Sequence, residues 1–426
     1  PTGQELTAVF RQGYWFRDIP PGPPQHSWLS RHNPEDGIVH PGDDGPVMEQ
    51  KKIGNGDQFP EGVMVIGADG LATPVAAGHD KFDYTLAKKA LGDILPKDIR
   101  KLAGSKALNM TTLALNLSRF VNGVAQKHGE VSRNMFPGYH IDAITNGVHP
   151  NTWVNEIWKP TYNHYLPGWQ LDPDKFKGAY SIPDEEFFER HMIAKRALIR
   201  FVNHSTQAGL DYDILTIGFG RRATGYKRAD LIFKDLERFV RICTGKVQFI
   251  FAGKSHPKDY QGKDLIKNIV DISHQLRGKV KVSFIENYDI YVALLMTSGV
   301  DVWLNTPQRP REASGTSGMK AALNGIPNFS VLDGWWIEGY EEDVTGWAIG
   351  PKPTETNLVD YDDILDADDF YIKLKKKIIP LYYNTPSQWI QIMKNSIAKI
   401  GPYFNTHRML KEYLQKAYSS IKVKAL

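Results

Sequence analysis

The amino-acid sequence predicts an α/β protein whose second half is a doubly wound parallel sheet. Apolar runs at 214–218 (ILTIG), 247–252 (VQFIFA), 280–285 (VKVSFI) and 300–304 (VDVWL) have strand length and the near-continuous hydrophobicity of strands buried on both faces. Helical patterns at 227–242, 261–277, 288–297 and 315–324 separate these runs. Such βαβα alternation builds an open sheet with ligands at the carboxyl ends of its strands. A chain of 426 residues has room for two domains and a substantial core.

The amino-terminal part has a different texture. Its first 70 residues hold 9 prolines and 11 glycines, against 43 of the two kinds in the remaining 356. PPGPP (20–24) and HPGDDGP (40–46) are breakers, so this stretch is expected to be loop-rich, with short strands at 7–16 and 62–67. Residues 80–95 and 108–127 read as helices, the second with an apolar face of Leu113, Leu115, Leu117, Phe120, Val121 and Val124. The closing segment, about 370–426, is helical and Lys-rich, with interruptions at Pro380, Pro386 and Pro402.

Composition excludes several function classes. The net charge of +4 is small for this length and makes no case for nucleic acid. Cys243 is the single cysteine, so an internal disulfide and a multi-Cys metal site are both out, as in proteins of a reducing compartment. No metal site is expected. No apolar run approaches membrane-spanning length, and the first residues do not form a signal peptide.

Two segments carry chemistry. Residues 312–320 read EASGTSGMK, a Gly/Ser/Thr loop between the strand near 300–304 and a helical run. Strand, loop, helix is a layout that aims backbone N–H groups at an anion, and a lysine one turn into the helix can hold a phosphorylated aldehyde as a Schiff base. On this segment alone, ordinary capping with a solvated lysine accounts for the residues equally well. Residues 221–228 read RRATGYKR, which sets Arg221, Arg222, Lys227 and Arg228 at the carboxyl end of a predicted strand. A solvated basic surface is the plain alternative for such a run. Together, however, the two segments could hold two phosphate groups side by side, with arginine giving planar contacts and lysine a point charge.

EASGTSGMK followed by AALNG, with RRATGYKR upstream, resembles the α-glucan phosphorylases that use pyridoxal phosphate. The similarity continues in NMTTLALNLSRFVNGVAQKHGEVSR (109–133), TNGVHPNTW (145–153), FAGKSHPKD (251–259), ENYD (286–289), VDVWLNTPQRP (300–310) and SVLDGWWIEGY (330–340). It runs nearly without a break from about 70 to 350, in the manner of the shorter bacterial and archaeal members. The resemblance implies a two-lobed GT-B-type glycosyltransferase architecture. Residues 1–145 would be a reduced glucan-side domain, 146–395 a Rossmann-like pyridoxal-phosphate and phosphate-binding domain, and 396–426 a helical tail.

Carried over position by position, the resemblance implies that Lys320 attaches the cofactor. Thr316, Ser317 and Gly318, with Arg221 and Lys227, fall where the cofactor phosphate is held, and Trp153 falls beside the cofactor ring. Arg222 and Lys227 match the residues that bind substrate phosphate. Asn146, Tyr226, Glu312, Ala313, Ser314 and Gly315 match contacts to the terminal glucose. The implied reaction is phosphorolysis of an α-1,4-glucan or maltodextrin at its non-reducing end by inorganic phosphate, which releases glucose 1-phosphate. Lys320, Arg222 and Lys227 would be catalytic and the cofactor's 5'-phosphate would act in proton transfer. The family includes cytoplasmic, allosteric enzymes of glycogen degradation, often homodimers.

Three departures accompany the match. Ala72 stands where the family has a histidine before Thr-Pro, a residue that lies beside the bound glucose. His79 matches a different position and reads best as a hydrogen-bonded structural histidine. No glycine-rich loop precedes the segment Phe10–Tyr14, and the stretch from there to Ala72 is shorter than in the family. These departures leave open a non-catalytic relative that binds pyridoxal phosphate or glucan. A nucleotide-sugar glycosyltransferase is a further alternative, although it would have no use for the lysine of EASGTSGMK.

Overall fold

A computed structural model describes residues 62–66, 79–351 and 362–418. The strand expected at 7–16, the Pro/Gly breakers, the segment Phe10–Tyr14 and Ala72 lie outside the described residues. The chain divides into two compact units, at Ile144 and Thr145.

The first unit runs β1 (Gly62–Ile66), β2 (Lys81–Phe82), α1 (Tyr84–Leu91), α2 (Ile99–Ala103), β3 (Leu108–Asn109), α3 (Met110–Leu117), β4 (Ser118–Gly123), α4 (Gln126–Met135) and β5 (Asp142–Ala143). Strand β4 lies between β1 and β5, all parallel, while β2 and β3 form a short antiparallel pair. Helix α1 starts where the Asp83 carboxylate accepts from the N–H groups of Thr85 and Leu86, and α3 where Asn109 does the same for Thr111 and Thr112. The helix expected over 108–127 therefore ends early. From Ser118 the chain is extended, because a slot between two parallel strands pairs its backbone and buries Val121. His79 lies 2.9 Å from the Thr111 hydroxyl and packs edge-on against Phe136, as a structural histidine would.

In the second unit α5 (Pro150–Trp153), α6 (Lys159–Tyr165) and α7 (Asp184–Thr206) precede the main sheet. Three acidic residues open α7, beside its positive dipole end, and Gln207 closes it in the left-handed conformation, φ 55°. The sheet then builds as β6 (Leu215–Gly220), α8 (Leu236–Cys243), β7 (Val247–Ala252), α9 (Tyr260–Gln275), β8 (Val282–Ile285), α10 (Ile290–Gly299), β9 (Val302–Asn305), α11 (Ser317–Ala322), β10 (Asn328–Val331), α12 (Trp336–Gly339) and β11 (Gly346–Ile349). All six strands are parallel, in the order β11-β10-β9-β6-β7-β8.

The four expected strands are present within two residues of their predicted ends, and β10 and β11 extend the sheet beyond them. Only the last part of the helix expected over 227–242 forms, as α8; short 3-10 turns occupy Gly225–Lys227 and Leu231–Phe233. At the amino end of β9, Asp301 is fully buried and accepts from Lys195 (2.6 Å) and from Thr216 N–H (2.7 Å), with His191 at 2.8 Å. Burial works to raise its pKa, but Lys195 and His191 together hold the carboxyl below its usual value.

The carboxyl-terminal helices are α13 (Asp363–Lys373), α14 (Ile379–Asn384), α15 (Pro386–Asn395) and α16 (Thr406–Tyr413). Pro380 does not interrupt its helix, because a wide turn over Leu374–Ile378 precedes it and Pro380 falls in the first turn of α14.

Candidate active site

The sheet order reverses between β6 and β9. From β6 the chain winds outward through β7 and β8; from β9 it winds the other way through β10 and β11. Beyond the carboxyl ends of these two central strands, their loops leave side by side, which is where open α/β sheets bind ligands. The β6 loop carries RRATGYKR and the β9 loop carries EASGTSGMK. Gln308 N–H donates to the Tyr226 carbonyl (2.7 Å), and the Thr306 hydroxyl bonds the carbonyls of Lys227 (3.0 Å) and Arg228 (2.9 Å). Both loops are thus one unit.

The four cations of the β6 loop have separate fates. Arg221 is buried, and its Nη2 donates to Glu312 Oε2 at 2.6 Å. Arg222 is exposed at the surface of the loop. Lys227 is half-buried, with its amine 5.4 Å from the centre of the Tyr226 ring. Arg228 is committed to the fold: it sits at φ 44° and donates to the carbonyls of Thr306 and Pro307 and to Asp363 (2.9 Å) and Asp366 (2.7 Å). Arg309 of the β9 loop donates to the other oxygen of Asp366 at 2.8 Å. One fully buried carboxylate on α13 therefore anchors both loops.

In the β9 loop, Glu312, Ala313 and Ser314 are buried, while Gly315, Thr316 and Ser317 are half-exposed. Gly315 adopts φ 83°, which favours glycine. The Ser314 hydroxyl is buried with no partner among the described residues. Ser317 Oγ accepts from the Trp303 indole N–H at 3.1 Å. Gly318 packs so tightly that a Cβ there would overlap Asn328 Oδ1 and lie 2.7 Å from the Trp335 ring. Two residues later the Lys320 amine lies 3.8 Å from the centre of the Trp153 ring. Asn324 holds this pair in register, since its side-chain amide donates to the carbonyls of Trp153 (2.8 Å) and Lys320 (3.0 Å).

Asn146 is anchored by its carbonyl, which accepts from Arg408 at 3.1 Å. Its link to the β9 loop runs through a chain of neighbours: Val148 N–H donates to Phe404 O, Phe404 packs edge-on against Trp335, and Trp335 N–H donates to Ser314 O at 2.9 Å.

Sequence reasoning gave no role to Asn324, Asp366 or Asp333. Asp333 is buried, and its two oxygens accept from Glu312 N–H (2.8 Å) and Gly334 N–H (2.9 Å). The available signal was an aspartate in an apolar run, LDGWW, directly after a strand.

This donor set suits pyridoxal phosphate. A primary amine is held against an indole face, which can cover an aromatic ring. Thr316 and Ser317, half-exposed in the loop before α11, supply hydroxyls of the kind that a phosphate takes up, and the buried, unpartnered Ser314 hydroxyl is left for a further polar ligand.

A family model described as "Carbohydrate phosphorylase" matches residues 81–345. Among similar proteins, the maltodextrin phosphorylase of Thermococcus litoralis is 41% identical over 387 residues, covering 83% of this chain and 46% of that protein. The glycogen phosphorylase of Aquifex aeolicus is 40% identical over 352 residues, covering 74% and 50%. A glycogen phosphorylase of Mycobacterium tuberculosis is 32% identical over 399 residues, covering 82% and 46%. The chain spans about half the length of these curated relatives.

Proposed function

The chain belongs to the carbohydrate phosphorylase family, and we propose that it carries the cofactor and phosphate site of an α-glucan phosphorylase that releases glucose 1-phosphate. On this reading the six-stranded unit is the carboxyl-terminal, doubly wound lobe of a GT-B-type architecture. The observation that carries the proposal is the 2.6 Å bridge from Arg221 to Glu312. It joins the basic loop to the Gly/Ser loop, so that phosphate-type and sugar-type side chains belong to one site.

Lys320 would attach pyridoxal phosphate, with Trp153 against its ring and Arg221, Lys227, Thr316, Ser317 and Gly318 around its phosphate. Bound there, the cofactor supplies a phosphate group able to exchange a proton with the substrate phosphate. Arg222 and Lys227 would bind inorganic phosphate and offset the repulsion between two dianions, a preorganised electrostatic role. Asn146, Tyr226, Glu312, Ala313, Ser314 and Gly315 would orient the terminal glucose of an α-1,4-glucan. The family's cytoplasmic setting and homodimers are part of the same proposal.

Glucose 1-phosphate release from maltodextrin plus phosphate, after incubation with pyridoxal phosphate, tests this function. Arg222→Ala should reduce the rate about 10²–10³-fold while the cofactor absorbance stays. A chain that takes up no pyridoxal phosphate overturns the proposal. Uptake with no turnover favours the rival reading of a cofactor-binding relative, to which Ala72 lends support.

A further inference from the structure

Strands β9 and β10 are neighbours, so the loops after them run together. Three features join the loop at 312–315 to the one at 332–335. Glu312 N–H donates to Asp333 Oδ2 at 2.8 Å, and Trp335 N–H donates to Ser314 O at 2.9 Å. Gly334, at φ 54°, lies so close to the Ser314 carbonyl that a Cβ there would overlap it. Asp333 closes its own loop with the same carboxyl group, through Gly334 N–H at 2.9 Å. Glu312 is consequently held at two points, its backbone by Asp333 and its carboxylate by Arg221 (2.6 Å).

We propose that Asp333 is a positioning residue for sugar recognition: it fixes the backbone of Glu312, and with it the 312–315 face, against the hydroxyls of a terminal hexopyranose. Its role is separate from that of the cations and of Lys320, which it does not touch through either oxygen. The proposal rests on the phosphorylase reading of the site. A carboxyl group serves here because both oxygens accept and two N–H donors converge on them. Asparagine keeps the shape but turns an NH₂ toward one of those donors, which loses one bond and leaves a buried N–H opposed.

The full chain, loaded with pyridoxal phosphate, is titrated with glucose 1-phosphate and separately with inorganic phosphate. Asp333→Asn should weaken glucose 1-phosphate by about tenfold, while phosphate affinity and cofactor absorbance stay at the wild-type level. Hydrogen exchange supplies a readout that needs no ligand: in Asp333→Ala the amides of Glu312 and Gly334 should lose protection, and that of Lys320 should keep it. Wild-type glucose 1-phosphate affinity in Asp333→Asn overturns the inference, as does an equal loss of sugar, phosphate and cofactor. Unchanged protection at Glu312 also overturns it. A wild-type chain that takes up neither cofactor nor glucose 1-phosphate overturns the phosphorylase reading itself, and the inference with it.

Discussion

The Lys320 amine sits 3.8 Å from the centre of the Trp153 ring, although 167 positions separate the two residues in the chain. Asn324 holds both backbones, so the pair is fixed by α5 and α11 rather than by a chance rotamer. Two predictions follow for cofactor capture. Lys320→Ala should abolish the absorbance of bound pyridoxal phosphate and its change on borohydride reduction. Trp153→Ala should retain attachment but weaken it by roughly 0.5–2 kcal/mol, the range for a cation or ring held on an indole face. A cofactor titration followed by absorbance distinguishes these outcomes.

Arg221 and Glu312 form a buried pair, with side chains 6% and 10% exposed. Removing one partner of such a pair costs more than the pair itself contributes, because the other charge is left desolvated. Arg221→Met should therefore destabilise the chain by about 3–5 kcal/mol, since Glu312 would be left near Asp333. The double variant Arg221→Met with Glu312→Leu should recover much of that loss. Denaturant unfolding of the four proteins in the cycle measures the coupling. Additive effects would mean the pair contributes little beyond its separate side chains.

Much of the central sheet could be read in advance because its strands are short, nearly continuous apolar runs, and such runs are recognisable without neighbours. NFSV and GWAI became β10 and β11 only through pairing with β9 and with each other, which no local pattern reveals. The same holds for the interrupted helix at 227–242. Arg228 takes a left-handed conformation there while its side chain reaches Asp363 and Asp366, more than 130 residues away. In the candidate site, Lys320 and Trp153 were marked by their motifs, and their side chains meet in the structure. Asp333 was not, because its role arises only where two loops from adjacent strands meet.

Asp366 joins two arginines that belong to different loops, Arg228 at 2.7 Å and Arg309 at 2.8 Å. All three side chains are nearly inaccessible. Asp366→Asn replaces a charge facing two guanidinium groups with a neutral amide, and its NH₂ can satisfy neither arginine. The expected loss is about 3–5 kcal/mol. Hydrogen exchange should also show the β6 and β9 loops opening together. If only one loop loses protection, the carboxylate does not act as their common anchor.

Two glycines of the site motifs should respond in opposite ways to alanine. At Gly318 a Cβ would overlap Asn328 Oδ1 and press on Trp335, both packed within the core. Gly318→Ala should cost about 1–3 kcal/mol, the usual penalty of overpacking, and loosen cofactor retention by shifting α11. At Gly225, in the basic motif, the space for a Cβ is open and φ lies outside the left-handed region. Gly225→Ala should leave stability unchanged or raise it by roughly 0.4–1 kcal/mol through a less flexible unfolded chain. Thermal melts of the two variants, measured together, check the contrast.

Asp333 also gives stability a specific dependence on pH. Burial pushes its carboxyl up to about 8, with the charge of Glu312 adding to the effect, while the two N–H donors and Arg309 pull the other way. In the unfolded chain the same group has its ordinary value of 3.8. Between these two values the folded protein holds a proton that the unfolded chain releases, so this contribution to stability declines as pH rises. It is complete below about 4, where both states are protonated, and is lost by the time pH passes about 8. Asparagine does not titrate, so wild type minus Asp333→Asn isolates the effect from every other group. Urea unfolding at pH 5 and pH 8 should show wild type favoured more, relative to the variant, at the lower pH. A difference that stays constant between the two values would mean that Asp333 is ionised throughout, with its two backbone donors and Arg309 outweighing burial.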